Sequence, residues 1–201
     1  MAGADAIKHE VDRGKCKSPN RMKRSYNDQH GEAMAIRDQG VDENRDMPEY
    51  LNRWTGLYMR QDGRIVEALP DDVDVAKGYA TVSSKGPVLE GRRITIMCLK
   101  NIYHVGEEVR VIHALEVLAP GQKIFIMGPK AVSGEYVDGR AMTPEGSDEP
   151  DLYDGRVLDS PGVDYNFDIT TYSFVAPGRH TIHWQIGRLR SNTLELEIVN
   201  S

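Results

Sequence analysis

The chain ends in a segment that places two histidines three residues apart, His180 and His183, with Trp184 beside them. Neutral imidazole is a common nitrogen ligand of zinc and copper, so the spacing raises the question of a metal site. Side chains three apart share a face on a helix, whereas on a strand they point to opposite sides. The alternation here, with Ile182, Trp184 and Ile186 on one side, is typical of a strand. We therefore predict that Trp184 is buried, that His183 faces solvent, and that His180 lies at the strand's mouth on the inner face.

Two further histidines and two cysteines are also candidate soft or borderline metal ligands. His104 and His113 fall in neighbouring predicted strands and could meet the first pair across a sheet as zinc or copper ligands, although no spacing requires it. Cys16 and Cys98 fall in a polar segment and a strand, respectively. Two unrelated reduced thiols are the favoured interpretation, and a disulfide between them is the alternative.

Hard oxygen ligands are concentrated in the acidic stretch 138–164, which is predicted to be a long insertion between strands. Calcium prefers such ligands on a loop and takes about six to eight of them. The spacing does not fit the helix-loop-helix type of calcium site, so a solvated loop is the favoured interpretation and calcium the alternative. The candidate ligands are Asp148, Glu149, Asp151 and Asp154. No other cofactor is indicated.

Motifs of nucleophilic or phosphate chemistry are absent from the sequence. It contains no Gly-x-Ser-x-Gly, no phosphate-binding glycine loop and no His-Glu-x-x-His. The carboxylate pair Glu107-Glu108 opens a strand, where one member must face outward, which makes it a poor acid–base pair. The sequence therefore indicates no enzyme class; an enzyme with its site under the loop 138–164 remains an alternative.

The charge is divided unevenly along the chain. The net charge is −6, yet residues 1–26 hold seven basic and three acidic side chains, which gives +4 there and leaves −10 for the remainder. A basic arm on an acidic body predicts a contact with a partner, either a protein or a nucleic acid. The candidate contact residues are Lys15, Lys17, Arg21, Lys23 and Arg24.

The elements that must position these residues fall into three parts. Residues 1–45 lack a sustained apolar period and are predicted to be a polar, largely irregular arm, disordered or ordered by a partner. Residues 46–91 are predicted to hold a short helix at 47–54 and a hairpin at 56–69 that turns at Asp62-Gly63. Within this part, residues 70–78 are predicted to form a connection, and residues 79–87 are predicted to form a short edge strand.

From residue 92 to residue 201 the sequence alternates between apolar and polar residues in short segments separated by Gly and Pro. In the segment 107–118, Val109, Val111, His113 and Leu115 are predicted to share one face. Similar segments follow at 123–128, around 135–139, and at 152–159, 165–174, 179–187 and 192–199. About seven or eight short strands at this spacing predict an all-β fold, an antiparallel sandwich.

Two of these segments carry a resemblance. PGRHTIHWQIGRLRSNTLELEI near the end of the chain and GEEVRVIHALEV at 106–117 resemble strands of bacterial immunoglobulin-like domains, over roughly residues 92–199. The resemblance implies an immunoglobulin-like β-sandwich and no particular activity. The cysteine pair of antibody domains has no counterpart, because this part of the chain contains only Cys98.

The sequence therefore favours a non-catalytic binding or assembly module that contacts a protein partner, or copies of itself, through its sandwich surface and its N-terminal arm. A coat-like protein that binds nucleic acid through the basic arm is the alternative from another class. No stretch reaches the eighteen or so apolar residues of a membrane span, and no signal peptide is visible at the start, so a cytoplasmic location is the default expectation.

Overall fold

The computed structural model describes residues 7–10, 48–62, 64–126, 128–142 and 156–200. Within these ranges the structure has one α-helix, α1 (Pro70–Lys77), and two 3₁₀ helices, Glu49–Asn52 and Gly78–Thr81. The strands, in chain order, are β1 (Ile7–Glu10), β2 (Tyr58–Gln61), β3 (Arg64–Glu67), β4 (Arg92–Met97), β5 (Ile102–His104), β6 (Glu108–Val117), β7 (Lys123–Ile126), β8 (Glu135–Val137), β9 (Arg140–Ala141), β10 (Arg156–Asp159), β11 (Gly162–Asp164), β12 (Thr170–Phe174), β13 (Gly178–Ile186) and β14 (Leu189–Val199).

Two larger sheets organise the fold. In the first sheet, β4 pairs with one edge of β6, and β11 and β12 follow each other along the opposite edge, with β1 beyond β12. The second sheet has the order β5-β14-β13-β8-β9, and all of its pairs are antiparallel except β5 with β14. Two-stranded ribbons, β2–β3 and β7–β10, flank the sheets. The predicted all-β fold is confirmed, and its several sheets are compatible with a sandwich.

The main core lies between the two sheets. Val109, Val111 and His113 point inward from β6, as the alternation predicts, and all three are buried. They face Ile182 and Trp184 of β13, which are buried in the same way. Trp184 is 1% exposed, and its indole nitrogen donates a hydrogen bond to the carbonyl of Ser133. The prediction of a buried Trp184 is confirmed.

A second core lies on the outer face of the first sheet. Because alternate residues of a strand point to opposite sides, Ile112 and Ala114 of β6 face away from the main core. They pack with Leu57, Ala76 and Tyr79 of the segment 48–82, all of which are buried. This segment therefore covers the outer face of the first sheet and makes it the middle layer of three.

A 3₁₀ helix, Glu49–Asn52, and the β2–β3 hairpin lie within the ranges 47–54 and 56–69, whereas the connection predicted at 70–78 is wrong. The β2–β3 ribbon turns at Asp62, whose φ of 50° suits the twist of a tight hairpin. Residues 70–77 form α1, not a connection. Pro70 opens the helix, acidic residues occupy its first turn, and Lys77 lies in its last turn. These are ordinary start and stop signals of a helix.

The edge strand predicted at 79–87 is also wrong. Residues 78–81 form a 3₁₀ helix, and the chain then runs irregularly past β4 and β14. Gly86 explains the close approach, because an added Cβ would stand 2.1 Å from the carbonyl oxygen of Ile94 and 2.8 Å from that of Arg190. Tertiary packing here overrides the local β propensity of YATV.

One further residue departs from the alternation. Ile186 was predicted to point inward with Ile182 and Trp184, but it is 39% exposed. The register of β13 on β14 shifts between His183 and Gln185. The extra residue lies in β14, so the alternation of β13 is not reversed. Gln185 is exposed as well, because Ile186 is the last residue of β13 and both faces of the strand are open at this end.

Candidate binding surface

The outer face of the second sheet is left open to solvent by the described residues. Its outward side chains come from β8, β13 and β14, and all of them are exposed or half-buried. The pairs across the central strands are Thr181 with Glu195 and His183 with Thr193. This face is mostly polar, and it contrasts with the outer face of the first sheet, which residues 48–82 cover.

An aromatic pair lies on this open face. Tyr136 of β8 stands opposite His183 of β13 in the register, and their rings stack with centroids 4.9 Å apart and planes 2° apart. Burial in the stack, together with the charge of Arg190, lowers the pKa of His183. The imidazole is therefore neutral at pH 7 and presents a flat surface flanked by an arginine. As predicted, His183 faces outward.

The other histidine of the opening pair has a different partner. His180 lies half-buried on the inner side, where its ring packs 4.3 Å from the ring of Phe174. Its Nδ1 is 2.7 Å from a carboxylate oxygen of Asp138 in the β8–β9 turn. Asp138 also accepts a hydrogen bond from the backbone N–H of Thr181, at 2.8 Å. The contacts of Asp138 with His180 and Thr181 therefore hold the β8–β9 turn against β13.

A buried polar cluster joins the two sheets directly beneath the open face. Glu135 of β8 accepts a hydrogen bond from the hydroxyl of Tyr172 at 2.6 Å, and His113 Nε2 lies 3.1 Å from its other oxygen. Burial alone would raise the pKa of Glu135, but its electrostatic interaction with His113 and these hydrogen bonds outweigh burial and lower the pKa. All three residues are inaccessible, so the cluster links the sheets and does not contact a dissolved ligand.

A second buried carboxylate lies on the opposite face of the first sheet. Glu116 is fully buried and is bound by Arg93, by the hydroxyl of Tyr50 and, at 2.6 Å, by the hydroxyl of Tyr79. Burial raises the pKa of Glu116, but these partners outweigh it, so the pKa lies below its usual value. The same cluster and burial raise the pKa of Tyr50 to about 12. This cluster fastens the segment 48–82 to the sheet.

A groove of about 530 Å³ lies where the chain crosses from β4 to β5 beside β14. Its walls include Ser83, Ser84, Cys98 and Thr193. Burial raises the pKa of the Cys98 thiol, which lies 3.0 Å from the carbonyl of Lys100, so the thiol is not activated for nucleophilic chemistry. The amide of Asn192 closes one end by bonding the backbone N–H and C=O of Ile96.

The described histidines do not form a metal site. His113 pairs with Glu135, His180 with Asp138 and His183 with Tyr136, while the Nδ1 of His104 lies 3.2 Å from the carbonyl of Asn200. Within the described ranges no group of three or more His, Cys, Asp or Glu side chains is arranged to hold a metal ion.

The remaining predicted site residues lie outside the described residues, and their roles stay predictions. These are the candidate calcium ligands Asp148, Glu149, Asp151 and Asp154 and the basic residues Lys15, Lys17, Arg21, Lys23 and Arg24. Within the stretch predicted to be an arm, residues 7–10 form β1 on the edge of the first sheet. The sequence analysis did not anticipate this pairing.

Sequence reasoning also missed the buried carboxylates. A signal for Glu135 was present, because it stands two residues before the inward-facing Val137 and so shares its face. Glu116 likewise shares the face of Ile112 and Ala114 on β6. Alternation thus marks both carboxylates as facing an apolar layer, but it does not name the side chains that bind them.

Comparison with protein-family models, with curated proteins and with solved structures finds no match for this chain. Within the described residues, no helix is both long and apolar enough to cross a membrane.

Proposed function

We propose that this chain is a non-catalytic binding or assembly module, built on an immunoglobulin-like sandwich, whose partner is a protein. The strand order supports the immunoglobulin-like part. The runs β4-β6-β12 and β14-β13-β8 correspond to the order A-B-E in one sheet and G-F-C in the other. In this comparison β1 occupies the position of strand D, and the chain crosses from β4 to β5 as a first strand divided between the two sheets.

The observation that carries the proposed function is the unequal covering of the two sheets. The outer face of the first sheet is buried under residues 48–82, whereas the residues that the structure describes leave the outer face of the second sheet open. A broad, open face at the centre of which a tyrosine and a neutral histidine stack suits a protein partner better than a small molecule. Tyrosine and arginine are enriched at protein interfaces, and Tyr136, Arg179 and Arg190 belong to this sheet.

The buried clusters support a role without catalysis. Glu135 and Glu116 are fully buried, have lowered pKa values and are hydrogen-bonded by neighbouring side chains, whereas a general acid or base must reach its substrate. The two clusters around these carboxylates join layers of the fold. The surface of the described residues therefore presents shape and charge, and these are the properties through which a binding module recognises its partner.

Site-specific photo-cross-linking in the native host tests the proposal. A photoreactive amino acid at Thr193, on the open face, is expected to capture a defined protein, which is either a partner or a second copy of the chain. The matched control places the same amino acid at Arg64 on the β2–β3 ribbon, which is also exposed. The substitution Tyr136→Ala should weaken the adduct at Thr193. Equal labelling at the two positions, or labelling at neither, would count against the proposal.

A further inference from the structure

The edge of the first sheet is completed by a strand from a remote part of the chain. Residues 7–10 pair antiparallel with 171–174, in the register Ile7 with Phe174, Lys8 with Ser173, His9 with Tyr172 and Glu10 with Thr171. All other strands of this sheet come from residues 92–174. The β12 edge therefore accepts a short extended segment that is not adjacent to it in sequence.

The connection that follows β1 is long enough for the strand to pair either with its own chain or with another copy. Residues 11–47 connect β1 to the rest of the fold. A chain of this length can extend up to about 120 Å, at roughly 3.3 Å per residue. A domain of the remaining size has a diameter of only about 30–40 Å. The connection is therefore long enough for β1 to reach the β12 edge of a neighbouring copy.

The contacts of β1 do not by themselves distinguish its own chain from a second copy. An edge strand is held chiefly by backbone hydrogen bonds, which are the same whether the strand comes from the same chain or from another copy. Residues 1–26 carry +4 and the rest of the chain carries −10, so the segment that contains β1 is attracted to the acidic body of a second copy as well as to its own. An unfilled edge would expose the unpaired backbone of β12, which favours pairing with another strand.

We propose that β1 is exchanged between copies, so that residues 7–10 of one chain complete the β12 edge of a second copy. The proposal rests on the assembly role proposed above and names the partner and the docking edge. The module then self-associates through donated strands, and its open second-sheet face stays free for other contacts.

Disulfide trapping across the register tests the exchange in the full-length chain. Lys8→Cys and Ser173→Cys are introduced into separate chains in which Cys16 and Cys98 are replaced by Ser. Directly opposed residues of antiparallel strands have Cα atoms about 4.5–5.5 Å apart, within the range that a disulfide bridges. Mixing the two chains, one of which carries a larger tag, and oxidising them mildly should give a mixed covalent dimer. Mixing Lys8→Cys with Arg64→Cys is the control and should not.

A second pair of opposed positions, Glu10→Cys with Thr171→Cys, repeats the test if the first substitution disturbs the fold. When both cysteines are placed in one chain, exchange predicts covalently linked multimers, whereas closure within a chain gives only a faster-migrating monomer. Monomers alone at every protein concentration, or no cross-link with either pair, would overturn the exchange. That result would leave the photo-cross-linking at Thr193 unaffected, so the two proposals can fail separately.

Discussion

Glu135 joins the two sheets through its side-chain contacts. It stands on β8 of the second sheet, and it is bound by Tyr172 and His113 of the first. The substitution Tyr172→Phe removes one hydroxyl and leaves a buried carboxylate with one hydrogen-bond donor fewer. We expect the free energy of unfolding at pH 7 to fall by about 1.5–3 kcal/mol, the usual range for a hydrogen bond to a charged group. Urea unfolding measures the loss.

The pH dependence of this loss identifies its cause. A carboxylate whose pKa is lowered in the folded state stabilises the fold above its unfolded pKa, about 4.3 for glutamate, and loses that contribution as the pH falls. The difference between the wild type and Tyr172→Phe should therefore shrink below about pH 4. Tyr58→Phe on the β2–β3 ribbon is the matched control and should cost far less at either pH. A loss that does not change with pH would mean that packing, not the carboxylate, is responsible.

At the residue scale, the sequence predicts which face of a strand a side chain occupies, but not which side chains it contacts there. Alternation placed His113 beside Val109 and Val111, and Trp184 beside Ile182, and the structure confirms all of these positions. It does not show that His113 meets Glu135, because that contact crosses between sheets at a separation of 22 residues. Buried polar residues must be hydrogen-bonded, so an inward-facing histidine implies a partner without naming it.

At the scale of elements, α1 is held to β6 by a forked ion pair. Arg110 contacts both carboxylate oxygens of Asp72, at 3.1 and 3.2 Å from Nε and at 2.8 Å from Nη2. Asp72 is 4% exposed, so the pair is only weakly screened by salt. We expect Asp72→Asn to lower the free energy of unfolding by about 1–3 kcal/mol, as thermal or urea unfolding would show.

Asp71 provides the control for this prediction. It lies in the same first turn of α1 but is exposed. Asp71→Asn removes the same charge from the helix dipole, which is worth about 0.3–1 kcal/mol, and leaves the ion pair intact. If the two substitutions lower the free energy of unfolding by the same amount, the helix dipole explains the effect, and the ion pair with Arg110 contributes nothing measurable.

The elements differ in how far the sequence predicts them, for a physical reason. Most strands after residue 92 are predicted well, because apolar and polar residues alternate along them and Gly or Pro separates them. The helix α1 was missed because only Asp72 and Ala76 of its residues are buried, which leaves no clear apolar stripe. Its cap signals at Pro70 and Lys77 were available. The pairing of β1 leaves no signal at all, since four residues on an edge carry no periodicity of their own.

The whole molecule is organised around the first sheet, which is buried on both faces. The sequence analysis treated 46–91 as a region separate from the sandwich, because composition changes near residue 92. Contacts across the boundary were invisible to it: Tyr50 and Tyr79 reach Glu116, and Leu57 packs in the cluster that contains Ile112. Such contacts join residues far apart in the chain, so no local pattern encodes them.

This arrangement predicts that the folding unit begins near residue 48 and not near residue 92. A fragment of residues 92–201 would expose the face that carries Met97, Ile112 and Val163, and Glu116 would lose both of its tyrosines. Each large apolar side chain returned to water costs about 1.5–3 kcal/mol, and a domain is stable by only about 5–15 kcal/mol. We therefore expect the fragment 92–201 to lack a cooperative unfolding transition, whereas the fragment 48–201 unfolds cooperatively. Circular dichroism during thermal unfolding compares the two. A fragment 92–201 that is as stable as 48–201 would show that the outer layer is dispensable, and the sandwich would then stand as a domain of its own.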